Sequence, residues 1–155
     1  MKPPASARSC VVDASVVAAA FFGDDYADTA RSLLVSGRRL HAPDLIYAET
    51  GNVVWKRQRR GELDEQEAMA LLADVLRLPL QVTPSDTLVE AALRLALGTD
   101  CTVYDCLYLA LAMQTESVLV TGDRRLARAM GGGPLADHVA WIGAKELQPP
   151  GAGVP

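Results

Sequence analysis

Four acidic residues stand at positions where solvent-exposed charge is not expected. Asp13 and Asp123 each follow a short apolar run, Glu49 lies within a predicted helix, and Asp105 directly precedes the apolar and aromatic run 106–113. Mg²⁺ and Mn²⁺ prefer oxygen ligands and are commonly held by a few carboxylates together with water and substrate phosphate. Two such ions about 4 Å apart stabilise both the attacking and the leaving oxygen of a phosphoryl displacement. Together, the four acids predict a divalent-metal site for phosphodiester chemistry.

The three aspartates also have a structural explanation. Asp13 and Asp123 each immediately precede a predicted helix, where an aspartate commonly accepts hydrogen bonds from free backbone N–H groups. Thr102 and Asp105 have the spacing of a capping box, in which two side chains satisfy the helix terminus reciprocally. The capping and metal-binding explanations therefore both stay open for these residues at this point.

Glu49 is harder to explain by capping because it lies inside a helix predicted over 44–60. One stripe of that helix begins with apolar residues and should face the core; it consists of Leu45, Glu49, Asn52, Val53 and Lys56. The pattern predicts that Glu49 and Asn52 face inward or line a cleft, where an unpaired charge is costly. The alternatives are that Glu49 pairs with a buried arginine or lies at the margin of the stripe.

The elements that must position these acids alternate along the chain. Five short strands are predicted, at "RSCVVD", "RRLHAP", "PLQV", "SVLVT" and "HVAWIG". Helices are predicted at "SVVAAAFF", 26–36, 44–60, "LDEQEAMALLADVLRL", "TPSDTLVEAALRLALG", 103–116 and "RRLARAM". Strands alternating with helices indicate parallel pairing and an α/β domain in three layers. The functional crevice of such a sheet lies beyond the carboxyl ends of its strands, which brings Asp13 and Asp123 to one rim.

Several helix ends carry their own signals. Gly37 and Gly61 are placed to end the helices that precede them. Thr83 is predicted as an N-cap, with Pro84 as the first helical residue, because proline suits a position whose N–H has no helical partner.

The composition of the 155-residue chain, 50% hydrophobic and 22% charged, indicates a single globular domain. The apolar run 11–22 is interrupted by Asp13 and is too short to span a bilayer, so a cytoplasmic location without membrane association is expected. The three cysteines lack zinc-site or CxxC spacing, which indicates reduced thiols. A net charge of −4 argues against nucleic-acid binding unless the negative charges are gathered in one place.

The motifs "VVDASV", "APDLIYAET", "TVYDCLYLALA" and "LVTGDRRL", in this order and at these separations, resemble those of the PIN-domain ribonucleases. The resemblance is greatest to the VapC-type toxins of bacterial toxin–antitoxin pairs, and it extends from about Val11 to Ile142. It implies a three-layer α/β/α fold with a parallel sheet of about five strands in the order 3-2-1-4-5. One PIN-like nuclease domain is therefore expected over 1–142, followed by a C-terminal tail over 143–155.

The resemblance also implies roles for individual residues. The expected catalytic and metal-binding residues are Asp13, Glu49, Asp105 and Asp123. The hydroxyls of Ser15 and Thr121 match positions that support the first and last of these acids. Asp100 is either an outer contributor or an ordinary loop residue. The implied activity is that of an endoribonuclease that holds one or two Mg²⁺ or Mn²⁺ ions and hydrolyses RNA with metal-activated water.

The implied partners are RNA, a second copy of the chain in a homodimer, and a small antitoxin protein whose C-terminal segment lies over the site. That segment is expected to insert an arginine among the carboxylates and to pack on apolar residues of the helices over 26–36 and 44–60. Arg124, Arg125 and Lys56 are candidate RNA contacts, although cations at helix ends are also typical of ordinary solvated surfaces. Trp55 and Trp141 are interpreted as packing residues.

Other α/β functions lack their motifs in this sequence. No GxGxxG follows the first strand and no P-loop is present, and Ser15 stands where a haloacid-dehalogenase phosphatase would need a second aspartate. Two alternatives to a toxin stay open. One is a PIN nuclease that processes RNA in a housekeeping role without an antitoxin, and the other is a non-catalytic PIN-like module that binds RNA or protein.

Overall fold

The structure, a computed structural model, describes residues 9–147, and these contain one five-stranded sheet. The strands are β1 (Ser9–Val12), β2 (Arg39–Pro43), β3 (Leu80–Thr83), β4 (Val118–Thr121) and β5 (Val139–Trp141). All pairings are parallel, and the order across the sheet is β3-β2-β1-β4-β5. The predicted parallel sheet and its order are confirmed.

Seven α-helices connect or follow these strands in the described residues. They are α1 (Ala14–Phe22), α2 (Ala27–Leu34), α3 (Leu45–Arg59), α4 (Glu65–Leu76), α5 (Val89–Gly98), α6 (Val103–Gln114) and α7 (Arg124–Gly131). α1 packs on α2 and α3, and α3 packs on α4, whereas α5 packs on α6. Because crossovers between parallel strands are right-handed, the return from β3 across the sheet to β4 places α5 and α6 opposite α1–α4. The result is the predicted α/β/α arrangement.

The core is built around α6, in which every residue from Cys106 to Ala112 is buried. α6 lies against β1, β2 and β4. A helix that is apolar on all sides is stable only when other elements enclose it. Because α6 leads into β4 and runs back along the sheet, its first turn, with Asp105, lies at the carboxyl end of the strands.

The end of α2 differs from the prediction, whereas the end of α3 agrees with it. α2 ends at Leu34, and Gly37, with φ of 74°, lies in the turn beyond the helix rather than at its C-cap. The Ser36 N–H turns back to the Leu33 carbonyl oxygen at 3.2 Å and closes the helix early. Gly61, with φ of 75°, follows the C-cap of α3 and ends that helix as predicted.

The predicted start of α5 is wrong. Thr83 is the last residue of β3 rather than an N-cap, and its carbonyl oxygen accepts a hydrogen bond from the Asp44 N–H at 2.9 Å. Pro84 is followed by a 3₁₀ turn over Ser85–Thr87, and α5 begins only at Val89. Thr83 stays extended because it pairs with Pro43 and Asp44 at the end of β2. Such long-range pairing cannot be seen in the local signals for the start of a helix.

The predicted tail over 143–155 lies mostly outside the described residues. Within the part that is described, Lys145–Leu147 form a 3₁₀ turn, and Leu147 packs against the core. The boundary between domain and tail therefore stays a prediction.

The cysteine and membrane expectations can be compared with the described residues. Cys10 and Cys106 are buried, Cys101 is half-buried, and all three are free thiols. No single helix in residues 9–147 is long and apolar enough to cross a bilayer, although α5 and α6, bent by 112° at their junction, meet the length and composition criteria when joined.

The enclosed position of α6 predicts a large stability difference between two leucine-to-alanine substitutions. Leu109 in α6 has no exposed surface, so Leu109→Ala should lower the free energy of unfolding by about 2–5 kcal/mol. Leu76, at the end of α4, is 55% exposed, so the matched control Leu76→Ala should change it by only about 0.5 kcal/mol. Urea denaturation of the two variants would measure both values. Equal losses would contradict the described packing of α6.

Candidate active site

Asp13 directly follows β1 and is 8% exposed. Its Oδ1 atom accepts hydrogen bonds from the N–H groups of Ser15 (3.0 Å) and Val16 (3.3 Å) and from the Ser15 hydroxyl. Its Oδ2 atom accepts one from the Thr121 hydroxyl at 2.5 Å. Burial raises the pKa of Asp13, and the hydrogen bonds from Ser15 and Thr121 oppose that rise. The carboxylate therefore caps α1 and is also held inside the protein.

The hydroxyls of Ser15 and Thr121 connect Asp13 to the loop that follows β4. Thr121 donates to Asp13 and accepts from the Asp123 N–H at 3.0 Å, while Ser15 donates to Asp13 and accepts from the Gly122 N–H at 2.7 Å. A Cβ atom at Gly122 would lie 3.0 Å from Ser15 Oγ, so a side chain there would crowd that hydroxyl. Sequence reasoning identified the two hydroxyls but missed Gly122.

Asp123 caps α7 in the way that Asp13 caps α1. Its Oδ1 atom accepts hydrogen bonds from the N–H groups of Arg125 (2.8 Å) and Leu126 (3.1 Å). Its Oδ2 atom lies 3.8 Å from the Arg125 guanidinium. The capping explanation is therefore confirmed for both strand-end aspartates. Because capping uses Oδ1, it leaves Oδ2 of Asp123 for another role.

Asp105 is half-buried in the first turn of α6, next to the N-cap Thr102. The Thr102 hydroxyl oxygen accepts from the Asp105 N–H at 3.2 Å and donates to Asp105 Oδ2 at 3.0 Å. The predicted capping box is incomplete, because the carboxylate bonds the Thr102 hydroxyl rather than its backbone N–H. An aspartate is one methylene shorter than the usual glutamate, which limits its reach toward that N–H.

Glu49 faces α6. Its Oε1 atom accepts a hydrogen bond of 2.9 Å from the hydroxyl of Tyr108, which is 3% exposed. Burial raises the pKa of Glu49, the Tyr108 hydrogen bond lowers it, and the charges of Asp13 and Asp105 raise it further. The three carboxylates are therefore close enough to repel one another. Sequence reasoning missed Tyr108; the signal was its position three residues after Asp105, on the same helical face.

In the part of the chain that the structure describes, three of the four rim acids have no cationic partner, whereas Asp123 lies 3.8 Å from the Arg125 guanidinium. Within residues 9–147, no Lys, Arg or His forms an ion pair with Asp13, Glu49 or Asp105. The alternative in which Glu49 pairs with a buried arginine is therefore wrong. Asp100 is exposed in the loop before α6, and its charge acts on Cys101 rather than on Glu49.

The core-facing side of α3 is rotated by one residue from the predicted stripe. Its buried residues recur every fourth position and are Ile46, Thr50 and Val54. Asn52 and Lys56 are exposed, so Asn52 does not line a cleft as predicted. Glu49 lies at the margin of the buried face, which was one of the alternatives left open. That marginal position lets its carboxylate reach the rim instead of the core.

The chemistry of the rim suits Mg²⁺ or Mn²⁺, which prefer carboxylate oxygens. Glu49 Oε2 and Asp105 Oδ1 accept no hydrogen bond within the described residues. The side chains do not converge on one point, however: among residues 9–147, no three His, Cys, Asp or Glu side chains are close enough together to hold an ion. The rim therefore suits a divalent cation by the type and charge of its oxygen donors, but the side chains are not already arranged around an ion.

The three candidate RNA contacts are all exposed. The Arg124 guanidinium lies 4.3 Å from the centre of the Trp141 ring, and Trp141 packs edge-on against Tyr26 with ring centres 5.1 Å apart. Arg124 and Arg125 directly follow Asp123 and so lie beside the rim. Lys56 lies about two turns along α3 from Glu49. Trp141 is a packing residue, as predicted.

The packing interpretation of Trp55 is wrong, because this side chain is 56% exposed. Trp55 lines a groove of about 340 Å³ between α3 and α4, together with Val54, Met69 and Leu72. The Arg59 guanidinium lies 5.8 Å from the centre of its ring. Trp55 lies on the side of α3 that faces α4, and α4 covers it only in part.

The raised pKa of Glu49 predicts that Glu49→Gln stabilises the metal-free protein at neutral pH. A carboxyl whose pKa is higher in the folded state than its ordinary value of 4.5 favours folding when protonated. That contribution is complete below the ordinary pKa and is lost as the pH rises through the folded-state pKa. Melting temperatures in EDTA should therefore be higher for the variant at about pH 7.5 and should converge with wild type at about pH 4.

Glu146→Gln is the matched control, because Glu146 is exposed at the far end of the described chain. It should leave the melting temperature nearly unchanged at both pH values. A Glu49→Gln protein that melts below wild type at neutral pH would contradict the described repulsion.

Comparison with known proteins agrees with this geometry. The PIN-domain family matches residues 10–131, a span that includes all four acids. A protein of Pyrobaculum aerophilum named Ribonuclease VapC3 is 37% identical over 119 residues, which cover 76% of this chain and 91% of that protein. Ribonuclease VapC1 of Mycobacterium tuberculosis is 35% identical over 123 residues, which cover 79% of this chain and 91% of that protein.

A solved structure shows the same fold. The crystal structure of PAE2754 from Pyrobaculum aerophilum matches with a TM-score of 0.64 and 29% identity, covering 91% of this chain and 88% of that one. The family match extends over most of the chain, and the VapC relatives are matched over nine-tenths of their own length. The chain therefore belongs to the PIN-domain family and, within it, to the VapC group.

Proposed function

We propose that this protein is a metal-dependent endoribonuclease that acts as the toxin of a toxin–antitoxin pair. The observation that carries the proposal is the acidic rim. There Asp13, Glu49 and Asp105 have no cationic partner among residues 9–147, and Asp123 is joined to Asp13 through Thr121. Uncompensated charges in a half-buried position destabilise the fold unless something positive binds them. Such arrangements are found preferentially at functional sites.

RNA is the proposed substrate. The VapC3 and VapC1 relatives are ribonucleases by name, and a cluster of carboxylates suits metal-assisted phosphodiester hydrolysis. The net charge of −4 does not oppose RNA binding at this place, because dications bound by the four rim acids would neutralise the negative charge that faces the substrate. Arg124, Arg125 and Lys56 are then available for phosphate contacts, which supply affinity without sequence choice.

The proposed cofactor is Mg²⁺ or Mn²⁺, one or two ions per site, held by Asp13, Glu49, Asp105 and Asp123. When bound, such an ion stabilises phosphoryl charge and lowers the pKa of water. The protein's own residues hold the oxygen donors in place. Ser15 and Thr121 fix Asp13, the first N–H groups of α7 fix Asp123, and Tyr108 orients Glu49.

An antitoxin is the proposed protein partner, in the cytoplasm. An inserted arginine would compete with metal for the rim, because its planar fork of donors matches carboxylate geometry. Exposed apolar surface for the rest of the segment is found between α3 and α4, at Trp55 and Met69. The expected contribution of α2 is smaller than predicted, because its Leu33 and Leu34 are buried. Grooves between helices commonly hold amphipathic segments of this kind.

A homodimer is also part of the proposal. Exposed apolar side chains recur every fourth residue along one face of α5, at Val89, Leu93 and Leu97. An apolar row on an exposed helix is typical of a protein–protein interface.

Substitution of the rim aspartates tests the nuclease proposal. Loss of a residue that only orients a metal ligand typically costs about 10- to 100-fold in activity. Asp13→Asn and Asp105→Asn change proposed ligands themselves, so they should lower Mn²⁺-dependent cleavage of a fluorescent RNA by at least about 100-fold. Asparagine also caps helices well, so the unfolding free energy of Asp13→Asn should fall by no more than about 2 kcal/mol. Asp137→Asn, at an exposed position before β5, is the matched control and should cleave like wild type.

The same assay separates the mechanism from its alternatives. Undiminished cleavage in EDTA, with metal-free RNA, would exclude the metal mechanism. A wild-type protein that binds RNA but cleaves none with either metal would favour the non-catalytic PIN-like module.

Expression in a bacterial host tests the toxin assignment separately from the nuclease. The wild-type chain alone should arrest growth, Asp13→Asn should be tolerated, and co-expression with the neighbouring gene of its genome should restore growth. Growth curves and copurification of a small protein would be the measurements. A wild-type chain that is tolerated at high expression and copurifies with no small protein would leave a housekeeping nuclease as the function.

A further inference from the structure

Tyr108 lies where three site-bearing elements meet. It belongs to α6, three residues after Asp105, and is 3% exposed. Its hydroxyl donates to Glu49 of α3 at 2.9 Å. The backbone of Ala14, the first residue of α1 and the neighbour of Asp13, lies close enough to the phenol oxygen to lower the Tyr108 pKa. The hydroxyl group therefore joins α6 to α3 and lies beside the start of α1.

Glu49 is the rim acid with the least support of its own. Asp13 and Asp123 are fixed by N–H groups of the helices that they cap, and Asp105 is fixed by the N-cap of α6. Glu49 lies in the middle of α3 on a side chain with three rotatable bonds. Within residues 9–147, its carboxylate accepts a hydrogen bond only from Tyr108. The charges of Asp13 and Asp105 repel it, which favours rotation toward solvent.

Packing alone does not account for a tyrosine at this position. The residues that surround it in α6, Cys106–Ala112, are otherwise apolar and buried, and phenylalanine would fill the same space. Enclosing a hydroxyl is unfavourable unless it is hydrogen-bonded, so the bond to Glu49 is the feature that distinguishes tyrosine from phenylalanine here. Burial and the nearby carboxylates raise the pKa of Tyr108, so its hydroxyl keeps its proton and remains a donor.

We propose that Tyr108 is a positioning residue that holds the Glu49 carboxylate within the rim, where a divalent cation binds it together with Asp13 and Asp105. The inference rests on the proposed metal site and extends it by one residue. Tyr108 acts through Glu49 and does not itself contact the ion.

Isothermal titration of the metal-free protein with MnCl₂ tests this role without any activity measurement. Tyr108→Phe should weaken Mn²⁺ binding by about 10- to 100-fold, as is typical when a group that orients a metal ligand is removed. Its melting temperature without metal should stay close to that of wild type, because the ring and its packing are retained. Tyr104→Phe is the matched control on the same helix: Tyr104 is 65% exposed, so its Mn²⁺ affinity should be unchanged.

A double-mutant cycle shows whether Tyr108 acts through Glu49. In a Glu49→Ala background, Tyr108→Phe should cause no further loss of Mn²⁺ affinity, because the group that it positions is absent. Additive losses in the cycle would overturn the inference. So would a Tyr108→Phe protein that binds Mn²⁺ as tightly as wild type, whether or not its melting temperature falls.

A second measurement uses proteins in which Tyr108 is intact. Mn²⁺ should change the near-ultraviolet difference spectrum of a buried tyrosine in wild type and in Tyr104→Phe, and the change should be absent in Glu49→Ala. A spectrum that responds equally without Glu49 would contradict the coupling. A wild-type protein that binds no Mn²⁺ would instead overturn the proposed metal site itself, so the two failures are distinguishable.

Discussion

The structure depends on how it holds the carboxylate of Asp13, which is buried at the end of β1. No cation in the described residues forms an ion pair with it. A buried charge without a partner is among the costliest groups for a protein to enclose. Here the first turn of α1 supplies two N–H donors, and Ser15 and Thr121 supply two hydroxyls. These donors meet at Asp13 for three reasons. β4, which carries Thr121, lies beside β1, and α1 begins directly after Asp13. Gly122 leaves room for the Ser15 hydroxyl.

Helix capping and the proposed site chemistry compete as explanations of the sequence, but the two roles are compatible, because the capping aspartates are also the proposed metal ligands. Helices that follow parallel strands begin at the same edge of the sheet, so the caps of α1 and α7 gather at one rim. In both caps the N–H groups of the helix bind Oδ1 of an aspartate, so Oδ2 is not used by the helix. An aspartate that caps a helix at this edge therefore already lies where the functional crevice of a parallel sheet is found.

The parts of the site that follow from local pattern could be predicted from the sequence, and the parts that depend on packing could not. The positions of Asp13 and Asp123 were predictable. An acid that follows an apolar strand lies at the carboxyl edge of the sheet, and an acid that caps the next helix turns its side chain toward the N–H groups of that helix. Glu49 was predictable from helical periodicity, but its helix face was misplaced by one residue, because apolar side chains lie on both flanks of α3. Tyr108 was not predictable as a partner of Glu49: the pair is 59 residues apart, and the two side chains meet only in the folded structure.

The hydrogen bond between Thr121 and Asp13 joins residues 108 positions apart in the chain. During synthesis at roughly 5–20 residues per second, about 5 to 20 s separate the addition of these two residues. Until β4 has been made, Asp13 lacks one of its donors and Asp123 does not exist. For a ribonuclease, this order of assembly means that the message being translated is not exposed to a complete cutting site until most of the protein has been made.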